Sequence, residues 1–209
     1  TEAFLEGRPA NNVLLIGARG TGKSSSVKAL AHEYYGRGLR LVQLAKSQLG
    51  ELPRILAALR RFPSKRFILF LDDLSFEAFE TEYKYLKSAI EGGVEARPQN
   101  VLIYATSNRR HLIKESWRDR DQAQDELYRQ DSVNETVSLS DRFGLIITFL
   151  APDQEQYHAI ISHYLEKEGV RLAPEELHIL AHRWELEHSG RSGRTAQQFV
   201  VHYLGQMRK

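Results

Sequence analysis

An apolar run, VLLIG (13–17), passes directly into GARGTGKSS (17–25), a stretch that matches G-x-x-x-x-G-K-[ST] and opens onto a helix-forming segment. Phosphate oxygens need several donors converging on one point, and a bulky residue would hold the backbone away. Gly17, Gly20 and Gly22 permit a tight turn, so that successive N–H groups across Ala18, Arg19, Thr21 and Ser25 form an anion nest. The helix that follows adds the positive end of its dipole. In this pattern Lys23 reaches the β- and γ-phosphates and the hydroxyl of Ser24 ligands Mg²⁺. A buried strand, this loop and a helix in that order commit the chain to an α/β sheet.

Four more runs have the length and the branched or aromatic content of strands: LRLVQLA (39–45), RFILFLDD (66–73), NVLIYATSN (100–108) and LIITFL (145–150). They are continuous rather than alternating, which predicts strands covered on both faces of a parallel sheet. Helices are predicted between them at 23–35, 51–61 and 76–91, the first and last stopped by Gly36 and Gly92-Gly93. The charged stretch 111–138 reads as a mobile insertion.

Beyond Pro152 the period changes. Tyr157, Ile160, Ile161, Tyr164 and Leu165 form one helical stripe, introduced by an Asp153–Gln156 capping box. Leu177, Leu180, Ala181 and Trp184 repeat it after Pro174, and Ala196, Phe199, Val200, Tyr203, Leu204 and Met207 give a third. The expected organisation is a nucleotide-binding α/β domain over 1–150 and a small all-helical domain over 151–209.

Composition removes several classes of function. With no Cys, the 209 residues have no disulfides, no thiolate catalysis and no Cys-ligated zinc, and they suit a reducing cytoplasm. No apolar run approaches the ~18 residues of a membrane span, and TEAFLEGRPANN is not a secretory signal. Against 29 Lys and Arg stand 27 Asp and Glu, and this balance makes no electrostatic case for nucleic acid. His178 and His182 lie four residues apart on a helix without an evident third ligand. Tyr83, Tyr85 and Trp117 read as packing or surface residues rather than a stacking platform. No N-K-x-D motif selects guanine, which favours ATP.

The third strand ends in Asp72-Asp73, two carboxylates at the C-terminal edge of a buried strand, where a metal site is built. Asp72 is the expected Mg²⁺ partner and Asp73 the residue that polarises an attacking water. Taken with the glycine loop, ATSN (105–108), LSDRFG (139–144) and SGRSGRTAQQF (189–199), the chain resembles the AAA+ ATPases over nearly its whole length. The wording of these motifs looks closest to a bacterial group of uncharacterised AAA+ ATP-binding proteins. Members of that group carry extra sequence ahead of the glycine loop, which fits the absent initiator Met. The resemblance implies a five-stranded parallel P-loop NTPase sheet with a helical lid. It implies Asn108 as sensor 1, Arg142 as an arginine finger acting in trans within a ring or filament, and Arg194 as sensor 2 with Arg191 as the alternative. The adenine is expected near Arg8–Asn12, with Asn12 as a contact.

Two departures from the family pattern matter. Most members carry Asp-Glu where this chain has Asp72-Asp73, and the shorter side chain predicts slower turnover. Replication initiators and helicase loaders of the superfamily carry a similar Asp-Asp pair. The loop KSQLGEL (46–52) has no aromatic-Gly pair for gripping polypeptide. The leading expectation is an oligomeric Mg-ATP-hydrolysing module working on a protein client. A slow nucleotide-gated switch that recruits a partner and a DNA-associated loader are the alternatives.

Overall fold

The computed structural model describes residues 1–76, 82–91, 97–108, 139–188 and 190–207. The predicted insertion at 111–138 lies outside them. Within these residues the chain divides into two compact units, one of Thr1–Ile16 with Lys23–Thr148 and one of Gly17–Gly22 with Phe149–Lys209.

The first unit is built on a five-stranded sheet. A short helix α1 (Glu2–Leu5) precedes β1 (Val13–Gly17), then α2 (Lys23–Glu33), β2 (Leu39–Leu44), α3 (Leu52–Arg60), β3 (Arg66–Leu71), α4 (Glu82–Glu91), β4 (Val101–Ser107) and β5 (Leu145–Phe149). The strand order is β2-β3-β4-β1-β5, and all strands are parallel. The connections from β1 to β2 and from β4 to β5 leave the adjacent strands β1 and β4 in opposite directions, the kind of switch point at whose carboxyl ends α/β sheets bind ligands. β3 and β4 are buried almost throughout, as their unbroken apolar runs predict. Leu69, Leu71, Ile103 and Ala105 pack with Leu52, Leu56 and Leu86 from the helices.

β5 departs from that expectation. It is an edge strand beside β1, and its residues Leu145, Ile146 and Ile147 are 47, 44 and 39% exposed. An apolar run therefore marks a strand here without marking cover on both faces.

In the second unit α5 (Gln154–Lys167), α6 (Pro174–Glu187) and α7 (Gly193–Met207) enclose a separate core of Tyr157, Ile161, Leu165, Leu177, Ala181, Ala196, Phe199 and Val200. Asp153 caps α5 as the capping box requires: its carboxylate accepts from the Gln156 N–H at 2.8 Å. Met207, the last member of the third predicted stripe, is exposed. Among the described residues no helix is long and apolar enough to cross a membrane.

Candidate functional site

The carboxyl ends of β3 and β4 bring five of the predicted residues together, Lys23, Ser24, Asp72, Asp73 and Asn108. The register pairs Leu71 with Ala105, so the residues just beyond, Asp72 and Thr106, become neighbours. Asp72 Oδ1 accepts two hydroxyl hydrogen bonds, from Ser24 at 2.6 Å and from Thr106 at 2.6 Å. Thr106 Oγ1 in turn accepts from the Asp73 N–H at 2.8 Å, and its carbonyl accepts from the Leu74 N–H at 2.7 Å. Thr106 thus fixes the turn 72–74 through three bonds.

Asp73 needs that support. Its φ of +54° is the one positive value outside glycine among the described residues. An L-residue in the left-handed region costs roughly 1–2 kcal/mol. The turn aims the Asp73 carboxylate at Asn108, whose Nδ2 donates to it. Asn108 Oδ1 accepts from Lys23 Nζ at 3.0 Å, so Lys23, Asn108 and Asp73 form a connected chain. Lys23 is buried. Burial pushes its ammonium below the usual lysine value, and the nearby Asp73 and Asp72 carboxylates oppose that shift.

The glycine loop belongs to the second unit, and its contacts there explain its glycines. Gly20 and Gly22 have φ of +78° and +98°. A Cβ on Gly20 would meet Ser192 Oγ at 2.8 Å and Arg194 Cβ at 3.2 Å. The Gly193 N–H donates to the Gly20 carbonyl at 2.9 Å, and Thr21 Oγ1 donates to the Ala18 carbonyl. The α7 N-terminus is preset by a reciprocal pair. The Thr195 N–H donates to Ser192 Oγ at 3.1 Å, and the Ser192 N–H donates to Thr195 Oγ1 at 2.9 Å. Arg194, in the first turn of α7, is exposed beside Gly20, whereas Arg191 is held by Glu185 at 3.1 Å.

Other predicted residues are placed elsewhere. Asn12 is buried at the end of β1 opposite the glycine loop. There its Oδ1 accepts from the Ile103 N–H at 2.9 Å, and its carbonyl accepts from the Leu145 N–H at 3.2 Å. That strand-linking role has no counterpart in the sequence reading of Asn12 as a base contact. Arg142 donates through Nε to the Glu91 carboxylate. Ser25 and Arg19 are exposed.

The donor set fits a nucleotide with Mg²⁺. Hard oxygens from Ser24 and Asp72 meet beside a buried ammonium, and Mg²⁺ in such sites takes one or two protein oxygens plus phosphate. Among the described residues no group of three or more His, Cys, Asp or Glu side chains could hold a metal ion. Thr106 is the site residue that sequence reasoning missed. The signal was its place two positions before Asn108 at the end of an apolar run, but its meaning depends on the β3–β4 register.

Comparison with solved structures identifies the fold. The chain is similar to the Thermotoga maritima RuvB P216G mutant with a TM-score of 0.63 and 20% identity, covering 93% of this chain and 55% of that one. It is similar to AMPPCP-bound DnaA from Aquifex aeolicus, with a TM-score of 0.57, 19% identity and coverage of 96% and 57%. It is also similar to the FIGL-1 AAA domain in complex with ADP, with a TM-score of 0.55, 20% identity and coverage of 92% and 60%. The chain therefore spans a little over half the length of these proteins. No curated protein sequence matches it. The profile described as "Protein of unknown function (DUF815)" matches residues 1–207, and this chain, with its AAA+ P-loop fold, belongs to that family.

Proposed function

We propose that this protein binds and hydrolyses Mg-ATP and uses the cycle to act on a protein client. The observation that carries the reading is the bond from Ser24 to Asp72 at 2.6 Å, buttressed by Thr106, beside the buried Lys23. A loop that binds phosphate, a Ser and an Asp that share one ligand position, and a second carboxylate wired to a polar residue are the parts phosphoryl transfer requires. Lys23 neutralises phosphate charge, and Asn108 positions both Lys23 and Asp73. Asp73 orients the attacking water, from a carboxylate one methylene shorter than Glu. Bound Mg²⁺ would supply charge stabilisation at the phosphates, held by Ser24 and Asp72. Arg194 is the better candidate for γ-phosphate contact, since Arg191 is engaged by Glu185.

Arg142 acts in trans in this reading, after exchanging Glu91 for a neighbouring subunit's nucleotide, and so requires a ring or filament. An arginine finger supplies ~10³–10⁵ in rate. Mg-ATP turnover measured across a protein concentration series, with Arg142→Ala and Asp73→Asn alongside, tests the reading. Specific activity that rises with concentration and is lost in both variants is the expected result. Tight ATP binding with background turnover at every concentration refutes hydrolysis. It would favour a nucleotide-gated switch, a reading supported by the Asp73 carboxylate being tied to Asn108.

A further inference from the structure

The overall charge of +2 conceals a strong asymmetry. Residues 34–71 carry eight Lys and Arg against one acid, Glu51, and so hold +7, while the rest of the chain is net acidic. Glu51 is itself paired with Arg54 at 3.0 Å. The topology then brings six of the eight, Arg37, Arg40, Arg60, Arg61, Lys65 and Arg66, to one edge, where Glu2 also lies, accepting from the Tyr34 hydroxyl. β2 and β3 are parallel, so the segment entering β2, YYGRGLR (34–40), and the segment entering β3, RRFPSKR (60–66), lie at the same sheet edge. They are bonded to each other there, with the Arg66 N–H donating to the Gly38 carbonyl at 3.2 Å. This edge is opposite the strand ends that carry Asp72 and Asn108.

Two aromatic rings stand among these cations. Tyr35 is 61% exposed and Phe62 is 56% exposed. Both are held in place. The Arg40 guanidinium lies 3.8 Å from the centre of the Tyr35 ring and donates to the Tyr35 and Leu39 carbonyls. One face of Tyr35 is thus backed by a cation. Phe62 packs edge-on against Phe67, and its carbonyl and that of Leu59 both accept from Asn100 Nδ2 at 3.0 Å. Cations at the C-terminus of α3 also complement its dipole, which accounts for Arg60 and Arg61. It does not account for Arg37, which lies 5.4 Å from the centre of the Tyr34 ring, for Lys65, or for two aromatics left more than half exposed.

We infer that this edge binds single-stranded nucleic acid, with Arg37, Arg60, Arg61 and Lys65 on phosphates and Tyr35 and Phe62 stacking on bases. A ring backed by a cation, as Tyr35 is by Arg40, suits stacking, since a cation at one face leaves the other for a base. A bilayer would instead reward apolar side chains grouped without intervening charge. The inference stands apart from ATP hydrolysis, because none of these residues belongs to the phosphate site.

Fluorescence anisotropy of a labelled dT20 oligonucleotide, titrated with the whole chain from 50 to 200 mM salt, tests it. Four phosphates neutralised on a single strand predict a slope of about −2.8 in log K against log salt, or about 50-fold weaker binding over that range. Arg37→Ala/Arg61→Ala/Lys65→Ala should flatten the slope to about −0.7. Tyr35→Ala and Phe62→Ala should each weaken binding at least ~5-fold and leave the slope unchanged. ATP affinity serves as the folding control and should stay at its wild-type value in all three. Absence of dT20 binding at 50 mM salt overturns the inference, as does loss in the cation variant alone with both aromatic variants like wild type. Binding to phosphatidylserine vesicles without binding to dT20 overturns it as well and assigns the edge to a membrane surface.

Discussion

Replacing Thr106 by Val is the sharpest perturbation of the site, because it removes one hydroxyl and preserves the shape. Thr106 is 1% exposed, and its Oγ1 lies between Asp72 Oδ1 at 2.6 Å and the Asp73 N–H at 2.8 Å. The carboxylate loses a charge-assisted bond, worth about 1.5–3 kcal/mol, and the amide is left without its acceptor, at about 1–3 kcal/mol. Water reaches part of this turn and recovers some of both, so the expected net loss is about 2–4 kcal/mol. The Leu74 N–H to Thr106 carbonyl bond survives, and so does the packing of β4.

Urea denaturation followed by far-UV circular dichroism measures this loss. With a slope of ~2 kcal/mol per M, the midpoint should fall by about 1–2 M with the slope unchanged. Thr106→Ser keeps the hydroxyl and loses one methyl, at about 1 kcal/mol, and so separates bonding from packing. In function, the apparent Mg²⁺ requirement of ATP binding should rise about 10–100-fold in the Val variant, the usual cost of losing a supporting partner. A Val variant within 0.5 kcal/mol of wild type, or a Ser variant as damaged as the Val variant, would refute the assignment of Thr106 as the residue that holds this turn (thresholds of about the size of ordinary surface effects).

Other perturbations follow from the same geometry. Asp73→Gly removes the left-handed strain and the carboxylate together, so stability should hold or rise by about 1 kcal/mol while turnover is abolished; a stability loss beyond that denies the strain. Gly20→Ala should cost about 2–3 kcal/mol from backbone strain and the collision with Ser192, and weaken ATP binding at least about tenfold, whereas Gly36→Ala, with open space around it, should be neutral in the same denaturation assay. Burial, His178 and Arg191 hold the His158 imidazole below its ordinary value, with Glu185 opposing. The unfolded chain then takes up the proton first, so stability should fall as pH drops below about 6.5 and level off below the folded value. Thermal midpoints of His158→Gln should fall less steeply over that window, and parallel curves for variant and wild type would exclude the linkage.

What the sequence discloses is what depends on neighbours along the chain. The glycine loop, the apolar strands and the three helical stripes are local patterns, and each marks an element at the position its pattern predicts. Thr106 is different in kind. Its hydroxyl matters because the β3–β4 register sets it beside Asp72, and no spacing within either strand encodes that register. Asp73 likewise reads as a carboxylate, but its φ of +54° belongs to a turn held from another strand. Asn12 reads as a loop residue near a nucleotide, while the structure uses it to tie β1 to β4 and β5, with its side chain and carbonyl taken by Ile103 and Leu145. Charge shows the same limit, since an average of +2 over the chain cannot reveal that two loops of one sign converge at one sheet edge.

The glycine loop has a position in the architecture that its motif does not express. Gly17–Gly22 is covalently continuous with β1 and α2, yet its contacts group it with the helical unit. Within that unit the Gly20 carbonyl accepts the Gly193 N–H, and Gly20 lies against Ser192 and Arg194 at the N-terminus of α7. That terminus is itself locked by the Ser192–Thr195 pair, and Thr195 passes its carbonyl to the indole N–H of Trp184 at 3.0 Å. Gly20 therefore has a short, fully bonded route to Trp184: Gly20, Gly193, Ser192, Thr195, indole. The physical content of this coupling is that the loop cannot move without stretching the Gly193 bond or carrying the first turn of α7 with it.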